Sequence, residues 1–482
     1  MSKNPPQHLS TLVSSGYTGF RWATQLDPIW NAYFLGIVLS ISEEIENDRI
    51  SKEKNYVFSY RIKLDDKEKN IFDSNYGWHK FQEESIENAK KYKYVLVCDI
   101  SNFYSNVYHH RLDNSLRKLE ISDTEITRNI MDFLQKFNNI KSYGLPIGGQ
   151  ASRILAELLL NSTDKLLKGN GIRFCRFVDD YHIFANTEEE IYSHLLLLSQ
   201  ALIENEGLSL QKSKTRIMSS DEFIKSSDLL LENDSENKGA KNYLFSISYK
   251  YDPYSQTAEE DYERLKNEIG KLNILGILSD ELSKSRVHTT VMKKLLGAIK
   301  FIDKDLQSAA ISSLIDNIDI LAPVFPNVMT LINNLYENLE EETQKKTISC
   351  LQEMIRNSSY LMKIDLNLAY SLRVLSKEFN DDNEEILISL YNKSRNLLIR
   401  RDIILIMSSW RANYWISNLK INFNSLSVWE KRSFIISSYI LNDEGRHWRD
   451  HYKKDFSEFD LLYRDWAAEK IQQKGGNWRL PI

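Results

Sequence analysis

Proline, cysteine and long apolar runs are what this chain has little of. Only 8 of its 482 residues are proline and 17 are glycine, so collagen-like and low-complexity architectures are excluded. Its 3 cysteines, Cys98, Cys175 and Cys350, are too few for a disulfide framework and imply a reducing compartment, the cytoplasm. No apolar run reaches the roughly 18 to 20 residues that a membrane-spanning helix needs, so no membrane partner is expected. The start, Met1-Ser-Lys-Asn-Pro-Pro, likewise lacks the apolar core of a signal peptide. With 62 Lys and Arg against 67 Asp and Glu, the formal net charge is −5. That is unlike a protein that coats duplex DNA, so any basic channel is local and offset by acidic surface elsewhere. What the chain does have is bulk. Its 42% hydrophobic residues over 482 positions can build two or more cored units.

Against this background one segment is out of place. Phe174-Cys-Arg-Phe-Val-Asp-Asp-Tyr-His-Ile-Phe184 sets two adjacent aspartates inside an apolar run. An unpaired carboxylate in a low-dielectric setting is costly, and the remedies are a tight turn or a bound cation. The two remedies are compatible. Strand-like sequence on both sides predicts a hairpin with Asp179 and Asp180 at or near its tip. Aspartate is favoured in any turn, so the pair alone does not separate turn from site. A second carboxylate of the same kind lies upstream: the apolar run 94–98 reads as a strand covered on both faces, and Asp99 sits where the chain leaves it. Two strand-end carboxylate sites suggest a shared ion. Two divalent cations about 4 Å apart, bridged by carboxylates from separate elements, activate a hydroxyl and stabilise a leaving pyrophosphate, which is nucleotidyl transfer. Hard oxygen ligands of this kind suit Mg²⁺, which binds through a few carboxylates plus substrate phosphates.

Between the two carboxylate sites lies Tyr143-Gly-Leu-Pro-Ile-Gly-Gly-Gln-Ala-Ser152. Pro146 with Gly144, Gly148 and Gly149 makes a loop whose backbone can approach a ligand closely. A helix should follow, with Ile154, Leu155, Leu158 and Leu159 on one face and a stop at Gly169-Asn-Gly171.

Taken in order, Asp99 with Phe103-Tyr104, the Gly-Leu-Pro-Ile-Gly loop with Ser152, Phe177-Val-Asp-Asp180, and Gly207-Leu-Ser-Leu with Lys214-Thr215 resemble the palm of a reverse transcriptase. The resemblance implies that Asp99, Asp179 and Asp180 are the catalytic aspartates and hold two Mg²⁺ ions, for which Mn²⁺ can substitute. It implies that Tyr104 is the steric gate against a ribose 2′-OH, so that dNTPs are the substrates. Ile147 and Gly148 would lie nearest the incoming nucleotide. Lys214 would donate a proton to the leaving pyrophosphate, a role for which Lys212 competes. Val57-Phe-Ser-Tyr-Arg61-Ile resembles a fingers segment in which Arg61 would bind triphosphate as a bidentate fork. Trp78-His-Lys80-Phe resembles a later fingers element, with Lys63, Lys67 and Lys80 as competing phosphate contacts.

Beyond about residue 250 the pattern is helical. Apolar residues at three- and four-residue spacing recur in 290–302, 325–339 and 347–355, and helix pairs recur roughly every 35 to 45 residues, the range of solenoid repeats. Six of the nine Trp lie between 410 and 482, interleaved with Lys and Arg, a mixture that is either core or a surface for single-stranded DNA. The expected fold is α+β: right-hand polymerase fingers and palm, an antiparallel sheet with helices, over 1–250, followed by an all-α, HEAT-like region over 251–482. With the tail Asn442-Asp-Glu-Gly-Arg-His-Trp-Arg449 and the segment Pro28-Ile-Trp-Asn-Ala-Tyr-Phe-Leu-Gly36, this combination is similar to bacterial abortive-infection and defence-associated reverse transcriptases. That resemblance implies antiphage defence, DNA synthesis without a nucleic-acid template, a single-stranded DNA product primed from and covalently attached to a protein hydroxyl, and a homo-oligomer. Two alternatives stay open: a retron- or intron-like enzyme that copies a structured RNA, and an inactive polymerase-like helical scaffold.

Overall fold

Six residues, Tyr94–Asp99, are half-buried or buried throughout and carry no charge until the last. Such a run is satisfied only as a central strand with both faces covered. It forms β5 of an antiparallel four-stranded sheet. The computed structural model describes residues 4–65, 70–119, 124–139, 141–232, 244, 258–475, 478 and 480. By its internal packing the chain divides into two units, Met1–Ser10 with Ala23–Asn233 and Thr11–Trp22 with Asp234–Ile482.

In chain order the strands are β1 (His8–Ser15), β2 (Gly19–Leu26), β3 (Ile62–Asp65), β4 (Asn70–Phe72), β5 (Tyr94–Asp99), β6 (Arg173–Phe177), β7 (Asp180–Ala185) and β8 (Arg216–Ser219). The four-stranded sheet has the order β6-β7-β5-β8. The helices of the first unit are α1 (Pro28–Leu39), α2 (Ser42–Asp48), α3 (Trp78–Ala89), α4 (Phe103–Asn106), α5 (His109–Arg117), α6 (Thr124–Asn138), α7 (Gln150–Gly169), α8 (Glu188–Gln200) and α9 (Ser220–Glu232). Helix α3 lies on the sheet, where Phe58, Phe81, Val95, Cys175, Phe184 and Phe223 form a buried cluster. His182 of β7 belongs to this packing: its Nδ1 is 2.9 Å from Ser85 Oγ, and burial pushes its pKa down to about 3, so the ring is neutral.

Helix α7 begins after the glycine-rich loop and ends at Gly169, as its sequence predicts. It differs in one respect. The expected single apolar face is replaced by burial nearly all round, including Glu157, Asn161, Thr163 and Asp164. A helix that central can carry charge only where partners are supplied, and those partners shape the site described below.

Apart from the part of the β1–β2 hairpin within Thr11–Trp22, the described residues of the second unit are helical. Lys304–Asp316 packs on Glu341–Arg356, Phe325–Leu335 on Asp365–Leu375, Asp365–Leu375 on Leu397–Ser409, Leu397–Ser409 on Val428–Ser437, and Val428–Ser437 on Glu458–Lys474. Each helix meets the next but one, the pattern of stacked helix pairs. Contrary to the expectation of no apolar run of that length, the stretch Ile318–Asn338 is long and apolar enough to cross a membrane by length and composition, and 56% of its apolar window is buried in the protein. The C-terminal tryptophans divide between core and surface. Trp429 and Trp448 are buried, Trp410, Trp415 and Trp478 half-buried, and among the described ones of this region only Trp466 is exposed. Basic residues there cover the protein's own rings, with Arg449 3.6 Å from the Tyr439 centroid and Arg400 4.0 Å from that of Tyr391. Within the tail motif, Gly445 lies so close to Ser438 that a Cβ would run into its carbonyl. Gly445 and Trp448 are thus the packing positions of the motif, while Asn442, Asp443, Glu444, Arg446 and His447 are exposed. The boundary expected at 250 and 251, and Lys67, lie outside the described residues.

Candidate active site

Register brings the three aspartates to one end of the sheet. Strands β5 and β7 pair antiparallel with Asp99 opposite Asp180, and β6 pairs with β7 so that Phe177 is opposite Asp180. This leaves Val178 and Asp179 as the turn between β6 and β7, the hairpin that the apolar run predicts. The Ile100 amide donates to the Asp179 carbonyl at 3.1 Å, and the Gln211 amide donates to the Asp99 carbonyl at 2.7 Å. The first contact fixes the Asp99 and Asp179 segments relative to each other, and the second ties Asp99 to the segment that carries Lys214.

The electrostatics follow from burial and like charge. Burial, then Asp99 and Asp180, push the Asp179 pKa up to about 7. Burial and Asp99 push Asp180 up to about 6. Burial, aided by the same aspartates, also raises the Cys98 thiol well above its usual range. Lys214 bonds to the Asp99 carboxylate and is raised by that bond, yet its side chain stays 64% exposed. One lysine does not balance three acids. The donor set, carboxylate oxygens with surplus negative charge at a strand end, fits a hard divalent cation. Among the described residues no three His, Cys, Asp or Glu side chains are already gathered as a cage.

Tyr104 lies on α4, after Asn102 in the left-handed region at φ 48°. Its carbonyl accepts the Leu145 amide at 2.8 Å, and the Val107 carbonyl accepts the Gly144 amide at 2.8 Å, so the tyrosine and the Gly-Leu-Pro-Ile-Gly loop are tied together. Gly144 has φ +97°, and a Cβ there would stand 3.3 Å from the Ser105 carbonyl oxygen, which is why this position needs glycine. Gly148 is also left-handed in sign at φ +114°, and Ile147 accepts the Thr24 amide at 3.3 Å. Burial raises the Tyr104 phenol, with Tyr60, Glu157 and Asp179 adding to it. Tyr104 is therefore a neutral ring within electrostatic reach of Asp179.

Arg61 is not where its expected role would need it. The side chain is 1% exposed, its Nε 3.0 Å from Glu46 Oε1 and its Nη2 donating to the Ile50 carbonyl at 2.6 Å. Burial, then neighbouring Arg49, pushes its pKa down to about 10. The guanidinium is committed to the interior and offers no solvent-facing fork to a triphosphate. Lys80 is partly exposed beside Glu83, and Lys63 is exposed.

The residues that motif reading misses are the buried ions beneath the hairpin. Arg176 is fully buried between Glu157 and Asp164 of α7, with Nη2 2.9 Å from Glu157 Oε2 and 2.6 Å from Asp164 Oδ2. Although burial opposes its charge, those two carboxylates keep Arg176 protonated. Arg49 Nη2 reaches Glu157 Oε2 at 2.6 Å, Ser59 Oγ donates to Glu157 Oε1 at 2.6 Å, and Arg49 Nη1 pairs with Glu46 at 3.1 Å. Three arginines, Arg49, Arg61 and Arg176, thus meet three acids, Glu46, Glu157 and Asp164. The signal was present in the sequence as an arginine inside an apolar strand and two acids inside an apolar helix, seven apart on one face.

With this geometry in view, one stretch of the chain matches a known family. Residues 43–250 match the reverse transcriptase (RNA-dependent DNA polymerase) family. The stretch is a reverse transcriptase-type nucleotidyltransferase domain. No curated protein matches the chain. Among solved structures it is similar to telomerase from Candida albicans in complex with a TWJ fragment of telomeric RNA, at 11% identity and a TM-score of 0.37 over 81% of this chain and 63% of that one. It is also similar to apo telomerase from Candida tropicalis, at 10% identity and a TM-score of 0.33 over 83% of this chain and 69% of that one. The chain thus spans less than two thirds of the length of the Candida albicans protein.

Proposed function

We propose that this protein is a Mg²⁺-dependent polymerase of dNTPs that acts in antiphage defence, synthesising single-stranded DNA without a nucleic-acid template and attaching it covalently to one of its own hydroxyl residues. The observation that carries the polymerase part is the pairing of Asp99 opposite Asp180 with Asp179 in the adjoining turn, inside the reverse transcriptase domain. The defence part rests on the resemblance of the whole chain, palm plus stacked helices, to abortive-infection reverse transcriptases. Homo-oligomeric assembly and a cytoplasmic location belong to the same reading, and the thiols Cys98, Cys175 and Cys350, all free, are compatible with a reducing compartment.

Asp99, Asp179 and Asp180 would hold the two ions. When bound, such ions polarise the attacking hydroxyl and neutralise the departing pyrophosphate. The chain's own residues do the rest. Tyr104 presents a neutral ring against which a 2′-hydroxyl finds no room, and the loop it is tied to sets Ile147 and Gly148 against the nascent base pair. Lys214, protonated on Asp99, is placed to offer a proton or a positive charge to the leaving group.

The test supplies labelled dNTPs and Mg²⁺ to purified protein without template, then treats the product with proteinase or nuclease. Label that stays with the protein on a denaturing gel until nuclease is added supports the reading. Free DNA that forms only with a template contradicts the template-free, protein-primed part. The family's description as RNA-dependent favours a second reading, a retron- or intron-like enzyme. One co-purifying RNA whose sequence matches the cDNA would select it, and no incorporation under any condition would select an inactive scaffold.

A further inference from the structure

Val178, the residue before the aspartate pair, has φ +57°. For a β-branched residue this is a genuine outlier, and such a conformation persists only where the surroundings enforce it. The enforcing contact is specific: Arg176 Nη1 donates to the Val178 carbonyl at 2.8 Å. The same guanidinium places Nε on Asp164 Oδ1 at 2.9 Å, Nη1 also on Glu157 Oε1 at 3.2 Å, and Nη2 on Glu157 and Asp164. All five of its N–H donors are used, four on carboxylates of one helix and one on the strained turn. Its backbone is pinned as well, since the Arg176 amide donates to the Tyr56 carbonyl at 2.7 Å and the Phe58 amide donates to the Arg176 carbonyl at 3.0 Å. Tyr60, also left-handed at φ 45°, is held the same way, its carbonyl accepting Arg49 Nη1 at 3.0 Å.

We propose that Arg176, clamped by Glu157 and Asp164, is a positioning residue that holds Val178 in its left-handed conformation and so aims Asp179 at the cation shared with Asp99 and Asp180, setting the affinity of the site for a divalent metal. The proposal rests on the polymerase reading of the three aspartates. A lysine at 176 keeps the charge but supplies one ammonium, which cannot span two carboxylates and a carbonyl in a plane. Arg176 touches neither substrate nor metal. Its effect passes through the turn.

The experiment measures Mn²⁺ binding to the full chain by electron paramagnetic resonance, with Asp179→Asn as the blank for surface binding, alongside the Mg²⁺ concentration that gives half-maximal dNTP incorporation. Arg176→Lys should weaken Mn²⁺ binding by about tenfold or more and shift the Mg²⁺ requirement by a similar factor, the range seen when groups supporting metal ligands are changed. Val178→Gly, which accepts φ +57° freely, should restore most of both losses in the Arg176→Lys background. A role in stability alone predicts no such rescue. If Arg176→Lys does not fold, Glu157→Gln serves in its place, with a shift in the same direction and the same rescue. Unchanged Mn²⁺ affinity in a folded variant, or no rescue by Val178→Gly, overturns the proposal. A wild-type protein that neither binds Mn²⁺ above the blank nor incorporates dNTPs instead overturns the polymerase reading itself.

Discussion

Replacing Asp179 by Asn should make the metal-free protein more stable while abolishing its activity. In the folded chain burial and two neighbouring aspartates push this carboxyl up to about 7, from a usual 3.8. At ~1.4 kcal/mol per pH unit, the difference of ~3 pH units corresponds to ~4 kcal/mol at full expression. The sign follows from which state holds the proton more tightly. The folded state does, so the penalty is absent below about pH 4, grows as pH rises, and is complete above about pH 7. Between pH 5 and pH 8 the wild type should therefore lose ~2–3 kcal/mol that Asp179→Asn does not lose. For a unit of this size that separates the two melting temperatures by roughly 5–10 °C at pH 8. The assay is thermal unfolding in EDTA at several pH values, followed by addition of Mg²⁺. Magnesium should raise the wild-type melting temperature at pH 8 and leave the variant unmoved. Parallel pH dependence for the two proteins would refute the claim that the three carboxylates repel one another in an uncompensated cluster.

Other perturbations separate the roles assigned to single residues. Tyr104→Val should lower discrimination of dNTPs over rNTPs by about tenfold or more in competition assays, and unchanged selectivity would remove the gate assignment. Arg61→Met should lower stability by roughly 1–3 kcal/mol, because Glu46 keeps Arg49 as a partner, and should leave the KM for dNTPs within about twofold. A large rise in that KM with unchanged stability would restore the triphosphate role. Gly445→Ala should destabilise the second unit by more than ~2 kcal/mol in thermal unfolding, because the added methyl meets the Ser438 carbonyl.

The hairpin, β5 and the start and stop of α7 were legible because each depends on local signals: apolar runs, glycine and proline punctuation, and charge at a strand end. The stacking of helices in the second unit was legible in outline from apolar spacing, while which helix meets which depends on packing between distant segments. Arg61 and Arg176 show where motif reading stops. Both are arginines in apolar surroundings near the aspartates, and their sequence contexts do not say whether the guanidinium faces a substrate or the interior. The answer lay in α7, whose burial on nearly every side brings Glu157 and Asp164 to Arg176 across 12 or more residues of chain. A sequence read as a helix with one apolar face conceals those acids among residues expected to face solvent. The tryptophans from 410 onward illustrate the same limit, since the sequence does not say which of them go to the core, as Trp429 and Trp448 do, and which keep an exposed ring.

The central claim is that Asp99, Asp179 and Asp180 form the metal-dependent centre of a DNA-synthesising enzyme. Its most direct test is incorporation of labelled dNTPs by the purified full chain, with and without primer and template, in Mg²⁺ and in EDTA, for wild type and Asp179→Asn. The account predicts incorporation by the wild type in Mg²⁺ and none in EDTA or in the variant. Incorporation that persists in a folded Asp179→Asn protein, or its absence from wild type under every condition, would contradict it.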